Sequence, residues 1–132
     1  MKILTAFLIG FLLVGCSSNK VGSKNINLEG NWRWVEKSGG FAGRTTTPET
    51  TNEEIHLQIT KDSIFYYNSG ELVSQQSYEI IQTQSLLDKK NYWSFKGSDP
   101  KVLLEKTNNH LIIREDCYDC FTNKYEKIDE GK

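Results

Sequence analysis

The sequence is short of the residues that mark several common classes of protein. Its 132 residues include two prolines, three cysteines and two histidines, and the formal net charge is −1. Arginine occurs only as Arg33, Arg44 and Arg114, and no lysine-rich segment compensates for this scarcity. A nucleic-acid-binding surface needs a basic face that displaces counterions from phosphates. The composition therefore argues against a nucleic-acid partner.

Patterns that would indicate catalysis or cofactor binding are also missing. The sequence contains neither a Gly-x-Ser-x-Gly elbow nor a phosphate-binding loop. His56 and His110 lack neighbours at metal-ligand spacing, and we expect both on strand surfaces. We therefore predict that the chain is not an enzyme and has no cofactor and no metal site.

The one long apolar run lies at the N-terminus and predicts export. Residues 3–14 are almost wholly apolar and follow the basic start Met1-Lys2. The run is shorter than the roughly 20 residues that span a bilayer, so it is typical of a secretory signal segment. Leu13-Val14-Gly15-Cys16 resembles a bacterial lipobox, which implies cleavage before Cys16 and its acylation by chains such as palmitate. An ordinary signal peptide with a chance cysteine is the alternative.

The residues after Cys16 predict a tether followed by a single domain. Residues 16–28 are mostly small and polar, which is typical of a flexible tether. We assign residues 29–129 to the folded domain and 130–132 to a tail. Removal of residues 1–15 leaves about 117 residues, which suffice for one core. Ser17 stands where lipoproteins kept in the inner membrane often have Asp, so the resemblance implies the outer membrane, on either face.

Alternation of apolar and polar residues predicts an all-β domain of eight strands. In residues 53–61, Ile55, Leu57 and Ile59 alternate with polar residues. The other predicted strands are 31–37, 63–67, 72–82, 92–96, 102–106, 110–115 and 121–128. Closure of the sheet into a barrel would remove its unpaired edges, so we predict an eight-stranded antiparallel up-and-down barrel. A partly open barrel or a sandwich is the alternative.

Three segments together resemble one family. Gly30-Asn31-Trp32 resembles the Gly-x-Trp signature of lipocalins. The loop Ser38-Gly39-Gly40-Phe41-Ala42-Gly43 and the segment Asp116-Cys117-Tyr118-Asp119 are similar to segments of small lipocalin-like lipoproteins of Bacteroidota-type bacteria. The resemblance covers residues 28–128 and implies a lipocalin-like barrel on a lipid anchor, in a family largely without assigned activity. It also implies that Trp32 plugs one end of the barrel, with Arg114 as the cation stacked over its indole.

Clustered aromatic residues are the main candidates for a ligand site. A hollow barrel would bind a small hydrophobic or amphipathic molecule in an apolar pocket. A filled barrel would instead present its surface to another envelope protein. In either case the candidate interior residues are Trp34, Tyr66, Tyr78, Trp93 and Tyr125.

The glycine-rich first loop has two interpretations. Gly39, Gly40 and Gly43 would let the loop fold over the mouth of the barrel as a lid, with Phe41 as its apolar contact. The alternative is a compact surface loop pinned by Phe41.

Cys117 and Cys120 have a spacing that permits a disulfide across a turn. Cysteines three apart in a turn can reach the Cα separation of about 5.5–6 Å that a disulfide prefers, and an oxidising periplasm favours pairing. Free thiols, a redox-active pair, and a metal site with Glu115, Asp116 and Asp119 are the alternatives. A redox pair is disfavoured because no helix follows to lower a thiol pKa.

Overall fold

The computed structural model describes residues 25–129. The predicted signal segment, the acylation site Cys16, the first part of the tether and the tail at 130–132 lie outside the described residues. Within residues 25–129, no helix is long and apolar enough to cross a bilayer. The elements are β1 Gly30–Gly39, β2 Arg44–Thr46, α1 Pro48–Thr51, β3 Ile55–Ile59, β4 Ser63–Asn68, β5 Glu71–Ser77, β6 Ile80–Gln84, β7 Asn91–Phe95, β8 Val102–Lys106, β9 His110–Glu115 and β10 Phe121–Lys127.

The strands form one antiparallel sheet whose two edge strands do not pair with each other. The hydrogen-bonded order is β5-β4-β3-β1-β10-β9-β8-β7-β6, and β2 pairs with β1 beside this path. The all-β, antiparallel prediction is confirmed. The predicted closed barrel of eight strands is wrong, because the sheet has ten strands and the edge strands β5 and β6 are not paired with each other. The first long strand does pair with the last, with Trp34 opposite Tyr125.

The predicted strand 72–82 is divided into β5 and β6 by Tyr78 and Glu79, which belong to neither strand. The Tyr78 N–H donates to the Asp62 carbonyl at 3.0 Å, and the Tyr78 hydroxyl donates to the Thr60 carbonyl at 2.7 Å. The Lys96 N–H donates to the Glu79 carbonyl at 2.9 Å. These bonds tie Tyr78 to the turn between β3 and β4, and Glu79 to the end of β7. As a result β5 stays with β4 while β6 joins β7.

The sheet bends around one hydrophobic core. Side chains from both halves of the sheet share this core, which requires the sheet to curl, since a flat sheet would keep its halves apart. Partly buried side chains, such as Ile55 and Ile113, pack against it. The buried members are Leu28, Trp32, Trp34, Leu57, Ile59, Ile64, Leu104, Leu111 and Tyr125.

The folded domain begins earlier than the predicted boundary at residue 29. Leu28, which the sequence places in the tether, is only 1% exposed. Its carbonyl accepts a hydrogen bond from Nε1 of the fully buried Trp32 at 2.8 Å. A buried indole N–H needs such an acceptor. The end of the tether is therefore part of the core.

Leu103, Ser85 and Asp116 are buried outside the hydrophobic core. Leu103 alternates with the core residue Leu104, so it points outward, yet it is fully buried. The Ser85 hydroxyl donates to the buried carboxylate of Asp116 at 2.7 Å. The connection between β6 and β7 therefore packs against the end of β9.

Candidate functional site

A cavity of about 490 Å³ lies inside the bent sheet, and we call it the main cavity. Both halves of the sheet contribute to its walls. Its polar lining includes Gln76, Lys96, Asp99 and Glu115. Its apolar and aromatic lining consists of Leu57, Ile64, Tyr66, Tyr78, Phe95, Pro100, Val102, Ile113 and Tyr125.

The main cavity exists because the inner face of β5 is polar. Ser74 pairs with Tyr66 and Gln76 pairs with Ile64, so both polar residues share the inner face. Every residue of β5 is exposed. A strand that brings no bulky apolar side chain inward cannot fill the interior, and the space beside β5 stays open.

A second, more polar cavity of about 450 Å³ lies next to α1, and we call it the end cavity. Tyr66 and Tyr125 line both cavities, so this tyrosine pair stands between them. The other lining residues of the end cavity are Trp34, Lys37, Thr46, Thr51, Glu53, Ile55 and Asn123.

A β-bulge places a lysine in the end cavity. Trp34 pairs with Tyr125, but the next pairs are Glu36 with Lys124 and Lys37 with Asn123. The extra residue shifts the alternation by one, so Lys37 shares the inner face with Trp34. The Lys37 Nζ lies 4.2 Å from the centroid of the Phe121 ring. Among residues 25–129, no carboxylate forms an ion pair with it.

The two tyrosines between the cavities remain protonated near neutral pH. Burial raises the pKa of Tyr125 well above its usual range, and the proximity of Tyr66 raises it further. Burial also raises the pKa of Tyr66, and the Glu53 carboxylate adds to that rise. Neither hydroxyl makes a hydrogen bond to another described residue. Both phenols are therefore available to donate to a molecule in the cavities.

Four of the five predicted ligand-binding residues line a cavity. Tyr66, Tyr78 and Tyr125 line the main cavity, and Trp34 lines the end cavity. Trp93 packs against the hydrophobic core and lines neither cavity. Lys37 and Glu53, which line the end cavity, were not predicted from the sequence. No sequence signal marks the bulge that turns Lys37 inward.

The predicted contact between Arg114 and the Trp32 indole is wrong. Arg114 lies with its Cζ 5.2 Å from the centroid of the Tyr92 ring, whereas Lys106 Nζ lies 6.0 Å from the Trp32 ring. Trp32 pairs with Lys127 at one end of β10, but Arg114 pairs with Thr122 near the other end. That offset is about 17 Å along the strand, which the side chain cannot bridge.

The glycine-rich loop is neither a lid nor pinned by Phe41. Phe41 is 94% exposed, and none of Gly39, Gly40, Phe41 and Gly43 lines the main cavity or the end cavity. The Gly43 N–H donates to the Gly40 carbonyl at 3.0 Å and closes a tight turn. This turn leads β1 into the short strand β2 and leaves Phe41 at its tip.

Cys117 and Cys120 are joined by a disulfide with a Cα separation of 5.5 Å. A Glu115 oxygen and the two sulfurs lie within 4.8 Å of one another, which is close enough for a shared metal ion. Metal ions bind the thiolate form of cysteine, which a disulfide does not provide. This turn therefore offers a covalent link and no thiolate ligand.

No family model matches the chain, and no curated protein or solved structure is significantly similar to it. The resemblance to lipocalin-like lipoproteins stays a prediction. Function is therefore argued from the geometry of the two cavities.

Proposed function

We propose that the chain is a lipid-anchored envelope protein that binds a small hydrophobic or amphipathic molecule in its main cavity. The observation that carries this proposal is the cavity volume of about 490 Å³. Small-molecule sites typically enclose about 300–1,000 Å³ and combine an apolar lining with a few polar groups. The main cavity likewise combines apolar and aromatic lining residues with polar ones.

The architecture we propose is a lipocalin-like barrel that is open along one side. Pairing of the first long strand with the last, and burial of Trp32 at the start of β1, support this interpretation. Because one edge of β5 pairs with no strand, a ligand can enter beside it without breaking a strand ladder. Acylated Cys16 attaches the domain to the outer membrane on its periplasmic or surface face, and the support for this is the lipobox-like sequence.

Filling the main cavity tests the proposal. Ile113 lines the main cavity, whereas the neighbouring Ile112 points to the opposite face, opposite Lys124 and Glu105. Ile113→Phe should abolish saturable binding of a fluorescent hydrophobic probe, and Ile112→Phe should preserve it. Native mass spectrometry of the wild-type protein should show a co-purified lipid.

Two results would contradict ligand binding. One is a wild-type protein that neither binds the probe saturably nor carries a lipid. The other is equal probe binding by the Ile113→Phe and Ile112→Phe variants, once both are shown to unfold cooperatively.

The second candidate function is a protein-interaction module of the envelope. It is favoured by β5, an edge strand that is exposed along its whole length and carries the exposed residues Leu72 and Val73. Such an edge can pair with a strand of another protein. Crosslinking in intact cells would then recover a protein partner with both the wild type and Ile113→Phe. The absence of enzymatic activity stays a prediction.

A further inference from the structure

We propose that the end cavity binds the carboxylate head group of an amphipathic ligand whose apolar tail occupies the main cavity. This inference rests on the proposed function and names the chemical class of the ligand. It depends on hydrogen-bond donors that line the end cavity and have no acceptor.

The first of these donors is the indole N–H of Trp34. Trp34 is 4% exposed, and its Nε1 is the single buried side-chain nitrogen or oxygen without a hydrogen-bond partner in the described part of the chain. An indole N–H can donate but cannot accept. A buried donor left without an acceptor is unfavourable, and native proteins seldom retain one without a reason. The residue lines the end cavity, so a bound molecule is a natural source of the acceptor.

Three more donors line the same cavity. Lys37 has no carboxylate partner in residues 25–129, and within that range the hydroxyls of Tyr66 and Tyr125 make no hydrogen bond. Trp34 lies directly opposite Tyr125 across the β1–β10 pair, so the indole and the phenol are neighbours. A carboxylate offers about four lone-pair sites on two oxygens, which suits a cluster of donors better than an alcohol does.

The charges in the end cavity favour a single negative charge on the ligand. The ammonium of Lys37 attracts an anion, but the carboxylate of Glu53 lies in the same cavity. Because these two side-chain charges offset each other, a phosphate with two negative charges would lose more hydration on entry than a carboxylate would, without a matching gain from the site. A quaternary ammonium would be repelled by Lys37 and could accept no hydrogen bond.

The position of the tyrosine pair sets the orientation of the ligand. Tyr66 and Tyr125 line both cavities, so a ligand beside them borders both, with its head group at the donors of the end cavity and its tail among the apolar residues of the main cavity. Trp34 also borders an outer groove lined by Glu49, Glu53 and Glu54. No oxygen of the described residues accepts from its Nε1 on that side either. The indole N–H therefore lacks an acceptor on both sides.

The test compares probes that share one tail and differ in head group. The full chain, stripped of bound lipid, is titrated with decanoate, decanol, decyl phosphate and decyltrimethylammonium. We expect decanoate to bind about tenfold more tightly than decanol, as hydrogen bonding to a charged group predicts. We also expect the indole ¹⁵N–¹H signal of Trp34 to shift with decanoate.

Matched variants separate the head-group site from the tail site. Lys37→Met and Trp34→Phe should each lower decanoate affinity about tenfold and leave decanol affinity unchanged. Lys124→Met is the control, because Lys124 lies on β10 beside Asn123 but pairs with the outward-facing Glu36. If Trp34→Phe does not fold, Lys37→Met still decides the outcome.

The results distinguish this inference from the proposed function. Equal binding of decanol and decanoate, tightest binding of decyl phosphate or decyltrimethylammonium, or an unchanged preference in Lys37→Met would overturn the carboxylate site alone. Failure of every probe to bind, decanol included, would overturn both proposals.

Discussion

Replacing Asp116 by asparagine should release the connection between β6 and β7 from the end of β9. The Asp116 side chain is completely buried. Its carboxylate accepts hydrogen bonds from the Ser85 hydroxyl and the Leu86 N–H, both at 2.7 Å. Lys101 Nζ forms an ion pair with it at 3.0 Å. The Asp116 side chain therefore binds Ser85 and Leu86 in the connection between β6 and β7, and Lys101 in the connection between β7 and β8.

Asp116→Asn keeps the shape of the side chain but removes its charge and turns one acceptor into a donor. At least one of the three groups then loses its acceptor. Hydrogen bonds to charged groups contribute about 1.5–3 kcal/mol each. The Lys101 side chain is 28% exposed, so water replaces part of what it loses. We expect the free energy of unfolding to fall by about 3 kcal/mol, a shift of about 12–24 °C in the midpoint.

The loss of unfolding free energy in Asp116→Asn should become smaller as the pH falls. Burial alone would raise the pKa of Asp116, but the hydrogen bonds from Leu86 and Ser85 and the Lys101 ammonium outweigh burial and hold it below its ordinary value of 3.8. Because the folded pKa is the lower one, the stabilisation is complete above pH 3.8 and is lost as the pH falls through the folded pKa. The difference between wild type and Asp116→Asn should therefore shrink in acid.

Urea denaturation at neutral and at acidic pH measures this difference. Asp119→Asn is the matched control, because Asp119 lies in the adjacent turn and is exposed, so its replacement should change stability by less than about 0.5 kcal/mol. A loss below about 1 kcal/mol for Asp116→Asn at neutral pH would refute the reasoning. A loss of unfolding free energy that is the same at neutral and at acidic pH would refute it as well.

Three further predictions concern the glycine-rich turn, the disulfide and the N-terminus. Gly39 has φ +122° and a Cβ there would collide with the Cys120 carbonyl oxygen, so Gly39→Ala should lower the free energy of unfolding by more than about 2 kcal/mol. Gly43→Ala, where a Cβ meets open space, should cost about 1–2 kcal/mol for its left-handed backbone, and a larger loss than for Gly39→Ala would contradict this account. Replacing both Cys117 and Cys120 by serine should cost about 2 kcal/mol in urea denaturation because the closed loop is short, and no change would show that the link is not formed in solution. Cys16→Ala should move the protein from the membrane fraction to soluble or unprocessed forms, and unchanged fractionation would remove the lipid anchor from the proposal.

Local alternation was enough to predict most of the sheet and part of the candidate site. It placed Ile55, Leu57 and Ile59 on one face, and all three contribute to the core. The aromatic residues Tyr66 and Tyr125 were expected inside, and both line the two cavities. These predictions succeed because the face of a strand residue follows from neighbours one and two positions away.

The missed features depend on contacts that are distant in sequence. The break between β5 and β6 is fixed by bonds from Tyr78 to Asp62 and from Lys96 to Glu79. The register that separates Arg114 from Trp32 is set by how β10 pairs with β1 and β9. Lys37 faces inward because of a bulge, and a bulge reverses the alternation from which its direction would be predicted.

The opening in the sheet and the proposed ligand site have the same physical origin. Pairing the free edge of β5 with another strand would close the interior over Ser74 and Gln76, the inward-facing residues of β5. Buried hydroxyl and amide groups without partners are unfavourable, whereas beside an open edge both stay hydrated. An apolar strand would favour closure and fill the space with side chains. The polarity of β5 thus keeps the sheet open at this edge, keeps the main cavity empty of side chains and provides the route by which a ligand would enter.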